Sequence, residues 1–320
     1  MPSLTRIFKK ALKIPNAVQL ADAIRSGRVS PSLRITARGK TDGAGAQAHA
    51  CMSALAFANA TGVRYVHSPF QSVAHAEGDP LEWTRRWEDF FGLGRGEVEA
   101  GSDATAEMVD LKTFLNQTKL WKRHDIIVHA EHFHDFCNRQ PDVYLPVLPA
   151  IRSKFHTSGG LNRPTHAPSG LVMAVHIRRG DVSRTDTETA SRFTDDEAIL
   201  ATIKQCRSLV TASGSACHID IYSEGRPEDF SAFADVGAHL KIGLDPFETV
   251  LGLAHADILI TAKSAFSFVA GLLSDSIKIY EPFWSKPPSD WLTLDAAGQV
   301  DTDKLRQRIA DLPNVSTPGI

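Results

Sequence analysis

LVMAVHIRRGD, at residues 171–181, passes from an apolar run of strand length into two adjacent arginines, a glycine and an aspartate. A strand apolar on both faces is a buried one, and such strands belong to parallel sheets covered by helices. Outward from it the pattern alternates. Thr194 followed by Glu197 reads as a capping box opening a helix through Ala198, Ile199, Ile203 and Leu209. HIDIYS at 218–223 is a strand, PEDFSAFA a short helix, HLKIG at 239–243 a strand, and PFETVLGLA at 246–254 a helix with proline in its first turn. ADILITA at 256–262 is a buried strand, SAFSFVAGLL at 264–273 the next helix, SIKIYE at 276–281 a strand, and TDKLRQRIADL at 302–312 a terminal amphipathic helix. Strand and helix alternating at this spacing predict a parallel sheet wrapped by helices.

The first half follows the same plan less regularly. SLRITARG at 32–39 is a strand, followed by the loop KTDGAGAQ and the Ala-rich helix HACMSALAFANA; RYVHS at 64–68 is the next strand. Trp83, Trp87, Phe90 and Phe91 stand at helical spacing and are read as core. HTSGGLNRPTHAPSG at 156–170 is the expected linker. The division is therefore 1–160 and 161–320, and two parallel sheets bind ligands beyond the carboxyl ends of their strands.

The whole chain sets bounds. Its 320 residues, 42% hydrophobic and 22% charged with a formal net charge of −2, suit a globular protein and give no general reason to expect nucleic-acid binding. No apolar run is long enough to span a bilayer. Cys51, Cys137, Cys206 and Cys217 form no C-x-x-C pair and read as reduced core thiols, so a cytoplasmic location is expected. LTRIFKKALKI at 4–14 is an amphipathic basic helix: a surface helix docked on the body, or a peripheral contact with the inner face of a membrane.

Chemistry concentrates at 176–181. Arg178 and Arg179 follow a buried strand, where side chains enter the crevice. A guanidinium offers a fixed fork of donors that matches phosphate oxygens. Gly180 permits a tight turn. The alternative is that one arginine pairs with Asp181 and the other lies in water. RGKT at 38–41 lacks the leading glycine of a P-loop. HAEHFHDF at 129–136 lacks the H-E-x-x-H spacing, so His129, His132 and His134 read as surface histidines on a helix and no metal site is expected. No G-x-S-x-G elbow is present.

H-x-R-R-G-D at a strand end resembles the first motif of the α1,2- and α1,6-fucosyltransferase superfamily. DGAGAQAHACMSALAF at 42–57 is similar to its Gly-rich loop, IDIYSEG at 219–225 to its strand ending in Ser/Thr-Asp-Asp, and ADILITAKSAFSFVAGLL at 256–273 to its last motif. The resemblance covers most of 40–281. It implies the GT-B architecture of two Rossmann-like domains, with an N-terminal acceptor side and a C-terminal domain holding the donor. It further implies GDP-fucose as donor, a saccharide acceptor, inversion, and neither metal nor cofactor. By position, Arg178 would grip the β-phosphate as a catalytic residue, with Asp181 the candidate second. His176, Arg179, Glu224, Ser264, Phe266, Ser267, Gly45 and Gln47 would contact the donor. Glu224 would bind guanine from the same cleft. Asp181, Asp186 and Glu188 are the candidate bases. The chain departs from the pattern at Glu224-Gly225, where relatives carry Asp-Asp, at Ala46 in place of Asn, and at Phe268-Val269. The rival readings are a transferase using another nucleotide sugar and a binding protein without turnover.

Overall fold

The computed structural model describes residues 16–158 and 170–312. Helix α1 (Ala17–Arg25) opens on a capping box, with Asn16 accepting from the first turn and Gln19 reaching back. The first sheet is built from β1 (Arg34–Ala37), β2 (Arg64–Tyr65), β3 (Glu107–Asp110) and β4 (Ile126–Ala130). Its helices are α2 (Ala44–Thr61), α3 (Pro80–Phe91), α4 (Leu111–Asn116), α5 (His134–Cys137) and α6 (Leu148–Ser158). The second sheet is built from β5 (Leu171–His176), β6 (Cys217–Ser223), β7 (His239–Ile242), β8 (Ile258–Ile260), β9 (Ile277–Tyr280) and β10 (Leu292–Thr293). It carries α7 (Asp196–Ala212), α8 (Pro246–His255), α9 (Ala265–Leu273) and α10 (Thr302–Ala310). Every strand pair is parallel, in the orders β2-β1-β4-β3 and β10-β9-β8-β5-β6-β7. The expected α/β class with two parallel sheets is what the chain forms.

Strand order places the ligand crevices. In the second sheet the chain runs from β5 to β6 and β7 on one side, then returns to set β8 beside β5. The loops leaving β5 and β8 therefore diverge and open a switch point between them. The first sheet has its own between β1 and β4.

One apolar core spans both halves, and a second is confined to the β5–β10 sheet with its helices α7 and α10. Helix α2 is buried on nearly every side, because its Ala and Gly positions present little bulk and no continuous polar face. It packs on β1 and on α9, and a Cβ on Gly45 would lie 2.7 Å from the Cα of Phe266. The aromatic stripe of α3 is core, as its spacing predicts: Trp87 stacks on Phe247 of α8 with centroids 4.0 Å apart, and Trp83 meets the same ring edge-on.

Several local expectations are corrected. Helix α2 begins at Ala44, so the second half of KTDGAGAQ is helical; its N-cap is Gly43. Thr194 and Glu197 form no capping box. The N-cap of α7 is Asp195, and the Thr194 hydroxyl donates to Glu281 instead. The histidines of HAEHFHDF do not lie on a surface helix. His129 is in β4 and His132 in the turn after it, while His134 opens α5 and stacks between His132 and His49 at 4.3 and 4.0 Å. Cys51, Cys137 and Cys206 are buried free thiols and Cys217 is half-buried. The segment 4–14 and the boundary at 160/161, with most of the expected linker, lie outside the described residues. Among the described residues no helix is long and apolar enough to cross a membrane.

Candidate functional site

A pocket of about 320 Å³ opens at the carboxyl ends of β5, β8, β9 and β10, within the size range of ligand sites. Val175, Ile177, Ile199, Ile260 and Leu294 form its apolar wall, and Arg178, Arg179, Arg192, Lys263, Glu281 and Asp295 its polar rim. The pocket stands at the switch point between β5 and β8, adjacent strands from distant parts of the chain, and the loops after both strands carry cationic residues into it.

Arg178 leaves β5 and is clasped by Asp181: its Nε donates to Oδ1 at 3.0 Å and its Nη2 to Oδ2 at 2.5 Å, while Nη1 reaches the Lys263 carbonyl at 3.4 Å. This fork-on-carboxylate geometry fixes the guanidinium plane. The same contact holds the Asp181 carboxyl below the usual carboxylate range. Arg179 does not lie in water. Its Nη1 donates to the Arg178 carbonyl at 2.9 Å, its Nη2 to the Thr194 carbonyl at 3.0 Å and to Asp196 at 2.5 Å, and its guanidinium covers the Phe193 ring at 4.1 Å. Asp181 is thus the partner of Arg178, and Arg179 braces the loop that follows. Gly180 has φ +78°, and a Cβ there would meet the Glu224 carboxylate.

His176, the last residue of β5, lines the pocket with its ring 5.8 Å from Phe266. Its Nδ1 is enclosed and has no hydrogen-bond partner among the described residues. Burial, and then the Arg178 charge, push its pKa down to about 4, so the imidazole is neutral near pH 7.

Across the switch point, Lys263 follows β8. Its amine lies 3.1 Å from Glu281, whose other oxygen accepts the Thr194 hydroxyl at 2.6 Å. The pattern strand, short loop, helix in 256–273 marked this turn, but Lys263, Glu281, Thr194 and Arg192 were not among the candidates. A cation at a strand end was the available signal for Lys263; the other three depend on loops folding back to the sheet edge. Ser264 is the N-cap of α9, its hydroxyl accepting from the Phe266 N–H at 3.1 Å. Ser267 is buried, accepting from the Ala262 N–H at 3.1 Å and so holding the β8–α9 loop.

The remaining candidates stand apart from this pocket. Gly45 lies in the α2–α9 contact. The Gln47 amide donates to the carbonyls of Asp42 and Ser72 at 2.8 and 2.7 Å. It borders a cavity of about 20 Å³ at the end of β1, beside Arg38, Lys40 and Glu131, room for about one water. Glu224 is exposed after β6, on the far side of Gly180, and forms no wall of the pocket. Asp186 is engaged in its own turn with the Glu188 N–H and the Thr189 hydroxyl, and Glu188 is exposed. Among the described residues no group of three His, Cys, Asp or Glu side chains is placed to hold a metal ion.

No family model matches the chain, and no curated protein matches it. Among solved structures it is similar to the NodZ α-1,6-fucosyltransferase co-crystallised with GDP, at 11% identity over 75% of this chain and 92% of that one, with a TM-score of 0.39. It is similar to the fucosyltransferase NodZ from Bradyrhizobium at 12% identity, 75% and 93% coverage and a TM-score of 0.39. It is also similar to the E. coli heptosyltransferase WaaC with ADP-2-deoxy-2-fluoro heptose, at 13% identity, 87% and 99% coverage and a TM-score of 0.36. Two parallel sheets in an α/β chain are consistent with the GT-B plan.

Proposed function

We propose that the chain is a glycosyltransferase that takes a sugar from a nucleotide-sugar donor, with the donor diphosphate at the mouth of the pocket between β5 and β8. The observation that carries this reading is the pairing of Arg178 and Lys263 across the switch point, on one pocket, each fixed by its own carboxylate. In transfer, an acceptor hydroxyl oxygen bonds to the anomeric carbon as the bond to the diphosphate oxygen breaks. The electron pair stays on the leaving diphosphate and the hydroxyl proton passes to water. A guanidinium set against that diphosphate binds it more strongly as its charge grows, which lowers the barrier. Asp181 orients Arg178.

GDP-fucose is the donor to test first, from the H-x-R-R-G-D resemblance, with a saccharide as acceptor. Glu224 is the proposed guanine partner; Gly225 in place of a second carboxylate favours the second reading, a nucleotide- or glycan-binding protein without turnover. Calorimetric titration with GDP, UDP, ADP and GDP-fucose, followed by donor hydrolysis, decides among these. The expected result is binding of nucleoside diphosphates that is lost in Arg178→Ala, with GDP preferred and the preference reduced in Glu224→Gln. Absence of any nucleotide binding overturns the function. Equal affinity for GDP and UDP removes only guanine. Among the described residues no carboxylate cluster is placed to hold Mg²⁺ against the diphosphate, and chelators are expected to leave transfer unchanged; loss restored by Mn²⁺ or Mg²⁺ contradicts that.

A further inference from the structure

The loop leaving β9 holds a tryptophan in solvent beside the pocket. Trp284 is 56% exposed, whereas the other large apolar side chains left exposed among the described residues, Leu81, Val98 and Leu244, are aliphatic. An indole is a large apolar surface, and folding ordinarily buries it. This one is also held in place. The Trp284 carbonyl accepts from the Asn138 amide at 3.0 Å, the Lys286 N–H donates back to Asn138 at 2.8 Å, and the Ser289 N–H donates to Asp142 at 2.7 Å. The Tyr280 hydroxyl donates to the Ser285 carbonyl at 2.5 Å, and the indole stacks on Phe283 at 3.9 Å. A flexible tip would need none of these ties.

Arg192 lies over the same ring, 5.1 Å from its centroid. Of the cations on the pocket rim it alone makes no ion pair among the described residues, its charge reaching Asp181 only at longer range: Arg178 pairs with Asp181, Arg179 with Asp196 and Lys263 with Glu281. Arg192 and Pro282 both line the pocket mouth, so the platform adjoins the proposed donor site.

We infer that Trp284 and Arg192 form the acceptor subsite and that the acceptor is an acidic saccharide. The C–H face of a pyranose stacks on an indole, and an unpaired guanidinium beside it receives a carboxylate or phosphate through two parallel hydrogen bonds. A subsite at the pocket mouth also sets the acceptor hydroxyl near the donor, as transfer requires. The inference rests on the transferase reading.

The test is a printed array of neutral oligosaccharides and of uronate-, sialate- and phosphate-bearing ones. It is probed with the wild-type chain and with Trp284→Ala, Trp284→Phe and Arg192→Gln, with GDP calorimetry on the same preparations. Acidic glycans are expected to be captured by the wild type. Binding falls by about tenfold or more in Trp284→Ala and in Arg192→Gln and is partly kept in Trp284→Phe. Because the indole is exposed, Trp284→Ala is expected to melt within about 2 °C of the wild type. Capture of neutral glycans only, capture unaffected by Trp284→Ala, or no capture at all overturns the inference. GDP binding without glycan capture sinks the subsite and leaves the donor reading standing; capture through Trp284 without GDP binding does the reverse.

Discussion

Arg178 owes its value to a fork held in one plane by Asp181. Arg178→Lys keeps the charge and loses that geometry. The expected loss is roughly 3–4 kcal/mol of transition-state stabilisation, on the order of a few hundredfold in kcat. Steady-state turnover within about threefold of the wild type, on the same arithmetic, would show that the fork is not used. Asp181 is held below the ordinary carboxylate range by that arginine, which suits an orienting group and makes it a weak base. Asp181→Asn is therefore expected to lower kcat by about tenfold through misplacement of the guanidinium, and to leave the acidic limb of the kcat/KM profile where it was. Disappearance of that limb would make Asp181 the base. The arginine pair was legible in the sequence because a buried strand ending in two cations is a local signal. Which arginine Asp181 would clasp was not, since Arg178 and Arg179 are neighbours and only the φ of Gly180 turns the carboxylate back to the first.

At the scale of elements, α2 and α9 form one of the contacts that join the two sheets, beside that of α3 on α8. Both start at strand ends, α2 after β1 and α9 after β8, and their first turns meet at Gly45 and Phe266. A Cβ at Gly45 would approach the Phe266 Cα to 2.7 Å and its nitrogen to 3.0 Å, and backbone cannot rotate away as a side chain can. Gly45→Ala is therefore expected to destabilise the chain by about 1–3 kcal/mol, visible as a lower urea midpoint. It should also weaken nucleotide binding, because α9 carries the loop bearing Lys263. An unchanged midpoint would mean that the helices can separate freely. The helix itself was readable from its alanines. Its start was not, since Gly43-Ala-Gly-Ala has the composition of a loop, and burial against α9 outweighs the weak helix propensity of glycine.

For the molecule as a whole, histidines with lowered pKa values, buried His49 foremost, set an acid limit. Burial pushes His49 down to about 3 and His176 to about 4, and lowers His132 and His134 as well. Above pH 6.5 these rings are neutral in both the folded and the unfolded chain and cost nothing. As pH falls below 6.5 the unfolded chain takes up protons that the folded one refuses, so stability drops until the folded values are reached. At pH 5 the enclosed His49 ring costs about 2 kcal/mol, and the half-buried rings of His132, His134 and His176 add less. Urea midpoints are expected to decline from pH 7 to pH 4.5, with a shallower decline in His49→Gln. Midpoints flat over that range would show the rings to be solvated.

The chain by itself determined the alternation of strands and helices, the two parallel sheets, the aromatic core of α3 and the cationic end of β5. Each follows from periodicity or composition within a few residues of the site concerned. Tertiary structure decided what stands beside what. Setting β8 next to β5 brings Lys263 to Arg178, and the loop after β9 returns Glu281 to Thr194 across 87 residues. The same folding stacks His49 on His134, ties Trp284 to Asn138, and leaves Glu224 outside the pocket. Such pairings are long-range: their free energy depends on the burial and geometry of both partners together, and no local pattern in either segment records it.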